Sequence, residues 1–155
     1  MSTSGLEILD TSVQKTNIWL KDLMERLETA DRHQAYIALK VTLHALRDRL
    51  SIEEAAQLGA QLPMIVRGLY YEGWRPAGKR ERASSWESFM KPIYLAVCQD
   101  GSWTPEEVAS AVFDVLSCHV SGGEIDDVVG QLPRDIRSLW PKQGRAALRV
   151  SDSSQ

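Results

Sequence analysis

The sequence is poor in most of the residues that carry catalysis. Two cysteines in 155 residues are no disulfide framework. The three histidines, His33, His44 and His119, are isolated from one another, and no His-Glu-x-x-His motif occurs. Gly122 and Gly123 form a close glycine pair, but no lysine follows, so a phosphate-cradling loop is absent. A nucleophile elbow is absent too. No apolar run approaches the ~18 residues that span a bilayer, which argues against a membrane. The start, MSTSGLEILD, lacks the basic and apolar stretches of a secretory signal. Charge of neither sign dominates: 18 Lys plus Arg against 21 Asp plus Glu gives −3, without the basic excess of a general nucleic-acid binder. What is present, 43% apolar and 25% charged residues, is the composition of one globular domain over 1–155. The expectation is a reduced, cytoplasmic domain without cofactor or metal.

The sequence is also self-similar. Gln61-Leu62-Pro63 and Gln131-Leu132-Pro133 are 70 residues apart. At that offset Leu46 falls on Leu116, Ser51 on Ser121, Glu54 on Glu124 and Arg67 on Arg137, and apolar class is kept at Trp19/Phe89, Leu23/Ile93 and Leu43/Phe113. The reading is two tandem units of about four helices each, over about 11–71 and 85–141. A linker at about 72–84 joins them, and a flexible tail follows from about 144 to 155.

Helical periodicity runs through both units, and no strand alternation interrupts it. The fold class is all-α, a helical bundle. Val13, Leu20, Leu23, Met24 and Leu27 line one face of a helix from about Thr11 to Glu28, with Thr11 and Gln14 as its capping box. A second helix covers about 32–50. Ser51-Ile52-Glu53-Glu54 and Ser121-Gly122-Gly123-Glu124 open third helices as capping boxes, and Leu62-Pro63 opens a fourth to about Tyr71. In the second unit, Pro92 predicts a kink or a late start in the helix from about Ser85 to Gln99. Thr104-Pro105-Glu106-Glu107 begins the next helix with a cap, a proline and acids against the dipole.

The units differ on one face. Ile37 and Val41 lie opposite Leu39 and Leu43, and their counterparts are Glu107 and Ala111; Met64 and Ile65 become Arg134 and Asp135. Two readings fit this extra apolar face. Residues 5–10, with Leu6, Ile8 and Leu9, cover it within the chain, or it forms an interface with a protein partner or a second copy.

Other candidates resolve toward structure. Cys98 and Cys118 are about thirteen residues apart in height along a hairpin, roughly 20 Å, against the ~7 Å that a disulfide allows. The acid pairs Glu53-Glu54, Glu106-Glu107 and Asp126-Asp127 sit at helix starts, where the dipole favours them without catalysis.

The strings Leu43-His44-Ala45-Leu46-Arg47-Asp48-Arg49-Leu50, Ala60-Gln61-Leu62-Pro63 and Arg67-Gly68-Leu69-Tyr70-Tyr71-Glu72-Gly73-Trp74 resemble the bacterial domain of unknown function 2267. The likeness runs from about Thr11 to Trp140. It implies a small, cytoplasmic, all-helical protein and carries no reaction, cofactor or binding residue with it. The second unit departs from these strings: Arg47-Asp48-Arg49 becomes Ser117-Cys118-His119, and Gly68 becomes Ser138.

Three functions follow from these residues. The leading one is a non-enzymatic interaction module that uses Ile37, Val41, Met64 and Ile65. The second is an anionic-ligand binder or enzyme with a pocket near Arg47, Arg49 and Arg67, whose guanidinium groups suit carboxylate or phosphate. Its structural counterpart has Arg67 and Arg137 bonding helix carbonyls or nearby acids. The third is weak single-strand binding through Arg75, Lys79, Arg80 and Arg82 beside Trp74 and Trp86. In the segment from Arg67 to Pro76, Gly73 suits a left-handed helix end and Pro76 prevents resumption. Trp74 then either staples the units together or joins Tyr70 and Tyr71 in a recognition patch.

Overall fold

A computed structural model describes residues 4–76 and 85–141, and all of its regular structure is helical. In chain order the helices are α1 (Glu7–Leu27), α2 (Arg32–Arg47), α3 (Ile52–Ala60), α4 (Met64–Tyr71), α5 (Trp86–Ile93), α6 (Pro105–His119), α7 (Gly122–Gly130) and α8 (Arg134–Arg137), with a π-helical turn Tyr94–Cys98 continuing α5. Sequence signals match most of these boundaries and miss others for local reasons.

Asp31, Ser51, Ser85, Thr104 and Ser121 cap the helices that follow them, each accepting a bond from a backbone N–H three residues on. The box at Thr104 is complete, with the Glu107 carboxylate reaching back to the Thr104 N–H at 3.2 Å. Those at Ser51 and Ser121 are half-boxes, because Glu54 and Glu124 turn inward instead. The expected start of α1 at Thr11 is corrected: the helix begins at Glu7, one turn earlier, after an N-cap, Leu6, that makes no side-chain bond. Helix propensity through Glu7-Ile8-Leu9-Asp10 outruns the capping signal. Glu28, with φ 53°, ends α1 in the left-handed region, and α2 stops at Arg47 instead of Leu50.

Pro92 neither breaks α5 nor delays it. The proline has no N–H for the Ser88 carbonyl, and the next turn widens into the π geometry at Tyr94–Cys98. Gly73 takes φ 74° after α4, as a helix-ending glycine does. The linker is described only as far as Pro76; residues 77–84 and the tail lie outside the described residues.

Helix α2 is the centre of the bundle, packed on α1, α4, α5, α6 and the π turn. Leu39, Leu43 and Leu46 from α2 meet Leu23 of α1, Phe89 and Ile93 of α5, and Phe113 and Leu116 of α6 in one continuous core. At its far side Trp140 closes the core, stacked on Phe113 with ring centroids 4.1 Å apart and planes within 8°. Trp140 is buried and its indole N–H has no acceptor. Trp140→Ala should therefore lose about 3–5 kcal/mol in chemical denaturation. Trp140→Phe should lose less than half of that, because it keeps the stack and removes an orphaned donor.

Candidate functional site

Two regions gather the residues that the sequence singles out: the end of α2 against α4, and the face shared by α1 and α4.

At the first, arginine and aromatic side chains converge, with Arg47, Arg49 and Tyr70 buried and Arg67 exposed. Arg47 is buried, and its guanidinium donates to Asp48 Oδ1 at 2.9 Å, to the Tyr70 carbonyl at 2.8 Å and to the Glu72 carbonyl at 2.9 Å. His44, one turn earlier, donates from Nε2 to the Leu69 carbonyl at 2.8 Å. Burial, opposed by that bond, leaves the imidazole below its usual pKa. Helix α4 has only eight residues, so α2 side chains supply partners for carbonyls that its own last turn leaves open. Arg49 is buried as well; it donates to the Ala45 carbonyl at 2.8 Å and to Ser88 Oγ at 3.2 Å, and its guanidinium lies 4.9 Å from the centre of the Phe89 ring. Those contacts tie the end of α2 to α5.

Arg67 folds back over the α3–α4 turn, donating to the carbonyls of Gly59, Ala60 and Leu62 at 2.9, 3.2 and 2.9 Å. Arg137 does the same to Gly130 and Leu132. Tyr70 is fully buried with its hydroxyl on the Ala55 carbonyl at 2.7 Å, and burial pushes its pKa up. Tyr71 and Trp74 are half-buried, their rings tilted at 34° with centroids 5.3 Å apart, and Tyr71 also meets Tyr70 edge-on at 5.0 Å. The structure thus brings Arg47, Tyr70, Tyr71 and Trp74 together around the C-terminal end of α4, whereas Arg67 braces the α3–α4 turn and Arg49 the junction of α2 with α5. Of the basic linker, Arg75 is exposed, and Lys79, Arg80 and Arg82 fall outside the described residues.

The second region is open. Ile37 and Val41 are half-buried against the core, whereas Met64 and Ile65 are exposed. Residues 5–10 do not cover them: Leu6, Ile8 and Leu9 are themselves exposed, together with Val13 and Ile18. The contrast drawn with the second unit also needs correcting at Ala111, which is buried instead of solvated. Between α1 and the α3–α4 turn runs a groove of about 940 Å³ lined by Ile8, Thr11, Lys15, Ile18 and Trp19 of α1, by Pro63, Met64 and Arg67, and by His119. His119 stacks on Trp19 at 5.1 Å and bonds Asp22 at 3.1 Å. Its sequence neighbours give no hint of this place, because a histidine at the end of α6 meets α1 only through the fold.

Sequence reasoning also passes over one internal pair. Glu54 and Glu124 are read as capping-box acids at helix starts, Glu54 also as favoured by the dipole, yet both are buried where α3 meets α7. The sequence signal is their shared register, each three residues after a capping serine and 70 apart; a helix start alone does not reveal which face another helix covers. Cys98 is buried, Cys118 exposed, and both thiols are free.

With this geometry in hand, the comparison with known proteins is direct. The family described as uncharacterized conserved protein (DUF2267) matches residues 16–139. The chain belongs to that family. No curated protein matches it. The match covers α2 through α8 and the C-terminal half of α1, so the arginine corner and the buried acids lie inside the DUF2267 region, whereas the groove wall at Ile8, Thr11 and Lys15 precedes it.

Two substitutions probe the corner. Arg47→Met should cost about 3 kcal/mol in chemical denaturation, because it strands the Tyr70 and Glu72 carbonyls that the guanidinium serves. Trp74→Ala should cost about 1–2 kcal/mol, less than a fully buried tryptophan.

Proposed function

We propose that the chain is a non-enzymatic helical interaction module that pairs with a second copy of itself through the α1–α4 face. The observation that carries this reading is the groove between α1 and the α3–α4 turn, whose walls carry the exposed apolar side chains of Ile8, Ile18 and Met64. Exposed apolar side chains gathered in a groove with a polar rim mark interaction sites. The groove side of α1 also has a charge order suited to self-pairing. Glu7, Thr11 and Lys15 form a ridge at four-residue spacing, flanked by Ile8 and Ile18. An antiparallel pairing centred near residue 13 sets Ile8 against the second copy's Ile18 and brings Lys15 within one turn of the second copy's Glu7. Such a contact repeats itself about a twofold axis, as isologous dimers require.

The reading of an anionic-ligand pocket near Arg47, Arg49 and Arg67 has less support, since each guanidinium already donates to backbone carbonyls. Single-strand binding rests on the linker, most of which lies outside the described residues.

We further infer that the two units are tandem copies offset by 70 residues. Support comes from α3 and α7, whose capping serines, half-boxes and following turns correspond one to one, and from Arg67 and Arg137, which fold over those turns alike. Among the described residues no helix is long and apolar enough to cross a membrane. The cytoplasmic placement is supported by the two free thiols, which a reducing compartment keeps.

Size-exclusion chromatography with light scattering tests the pairing. The chain of 17.4 kDa should elute at twice that mass at micromolar concentration. The double substitution Ile8→Glu with Ile18→Glu should return it to the single mass with its melting temperature nearly unchanged, since both residues are exposed. A wild-type chain that keeps the single mass across the concentration range would sink the pairing.

A further inference from the structure

The interface of α3 and α7 holds three carboxylates and is clamped on both sides. The Ser51 N–H donates to Gln131 Oε1 at 2.9 Å, and Gln131 Nε2 donates to Ser51 Oγ at 3.2 Å. Reciprocally, the Ser121 N–H donates to Gln61 Oε1 at 3.0 Å, and Gln61 Nε2 donates to Ser121 Oγ at 3.1 Å. These four bonds fix the first turn of each helix against the other helix's end. Glu54 and Glu124 project from those first turns into the contact, and each is only 6% exposed. Neither Oε1 atom receives a hydrogen bond from the protein. Asp127, one turn beyond Glu124, is exposed, and one carboxylate oxygen from each of the three lies within 4.8 Å of the others.

Burying two carboxylates side by side without a cationic partner is costly. The serines and glutamines around these acids are all bonded to one another, yet none of their donors is turned to the inner carboxylate oxygens. The clamps instead hold the two oxygens rigid, near each other and undonated. We propose that Glu54, Glu124 and Asp127 form a binding site for a hard divalent cation of the calcium or manganese class, held between α3 and α7.

The donor chemistry selects that class. All three donors are carboxylate oxygens, with no thiolate or imidazole among them, which disfavours zinc and copper and suits calcium, manganese or magnesium. Three oxygens within 4.8 Å of one another share a point no more than about 2.8 Å from each, so they need less closure for calcium at about 2.3–2.6 Å than for magnesium at ~2.1 Å. Asp127 opens the site to solvent, giving an entry path and leaving the remaining positions to water. A cation there would link the two units across α3 and α7. Protons compete for the same oxygens: burial, contact with the Glu54 carboxyl, and the charges of Glu54 and Asp127 push Glu124 up to about 7. Tyr70, the other titratable group near the pair, stays neutral with its proton on the Ala55 carbonyl.

The experiment is titration of the chelator-stripped full chain with calcium chloride by calorimetry and with manganese chloride by electron paramagnetic resonance, at pH 8 and pH 6. One ion should bind per chain, about tenfold or more weakly at pH 6, and calcium should raise the melting temperature at pH 8. Glu54→Gln and Glu124→Gln, which keep shape and remove charge, should fold and abolish binding; Asp127→Asn should weaken it about tenfold. Absence of binding at millimolar calcium and manganese at pH 8 overturns the proposal, leaving a shared-proton pair. So does binding that survives in folded Glu124→Gln. Both readouts are taken on the Ile8→Glu, Ile18→Glu background as well, where binding should be unchanged, so failure of self-pairing and failure of the cation site are told apart.

Discussion

A charge withdrawn from water must be met by an opposite charge, by hydrogen bonds or by a proton. This fold is organised around that requirement. Its buried charged side chains are Arg47, Arg49, Glu54 and Glu124, and the two arginines are met at once. Arg47 serves the open carbonyls at the end of α4, and Arg49 joins the end of α2 to the start of α5. Because α2 is the helix on which most others pack, these bonds decide how the short helices seat against it. The apolar core supplies most of the burial; the arginines supply direction. The two glutamates obey the same requirement differently, since no protein donor reaches their inner oxygens.

The all-helical class was legible in the sequence because apolar spacing, serine and threonine caps and the helix-ending Gly73 agree with one another. The start of α1 was not legible, since Leu6 makes no cap bond and the helix continues on propensity alone. Pro92 carried an ambiguous signal: a missing N–H says that the ladder is disturbed, and packing of Ile93 and Val97 on the core decides that it is disturbed as a π turn. The arginines misled in a more general way. Arginine beside aromatic residues suits ligand recognition and also suits the capping of a short helix, and only three-dimensional proximity of the Tyr70 and Glu72 carbonyls separates the two. Glu54 and Glu124 misled oppositely. Helix-start acids are ordinarily solvated, and nothing local announces that α7 covers α3.

The open groove and the buried acids are mechanically adjacent. Gln61 lines the groove and also clamps Ser121 at the start of α7. Arg67, on the same turn, braces that segment through three carbonyls. The turn between α3 and α4 thus borders the groove on one side and anchors the start of α7 on the other.

The central claim is that Glu54 and Glu124 are the buried charges that the protein itself leaves unmet. Carbon-13 NMR titration of the glutamate side-chain carboxyls, in chelator, tests it most directly. The account predicts one carboxyl of the pair, assigned by loss of its signal in Glu124→Gln, titrating near pH 7, raised by burial and by the Glu54 carboxyl beside it. Every glutamate titrating in the ordinary range would contradict it, because the pair would then be solvated or already served by donors.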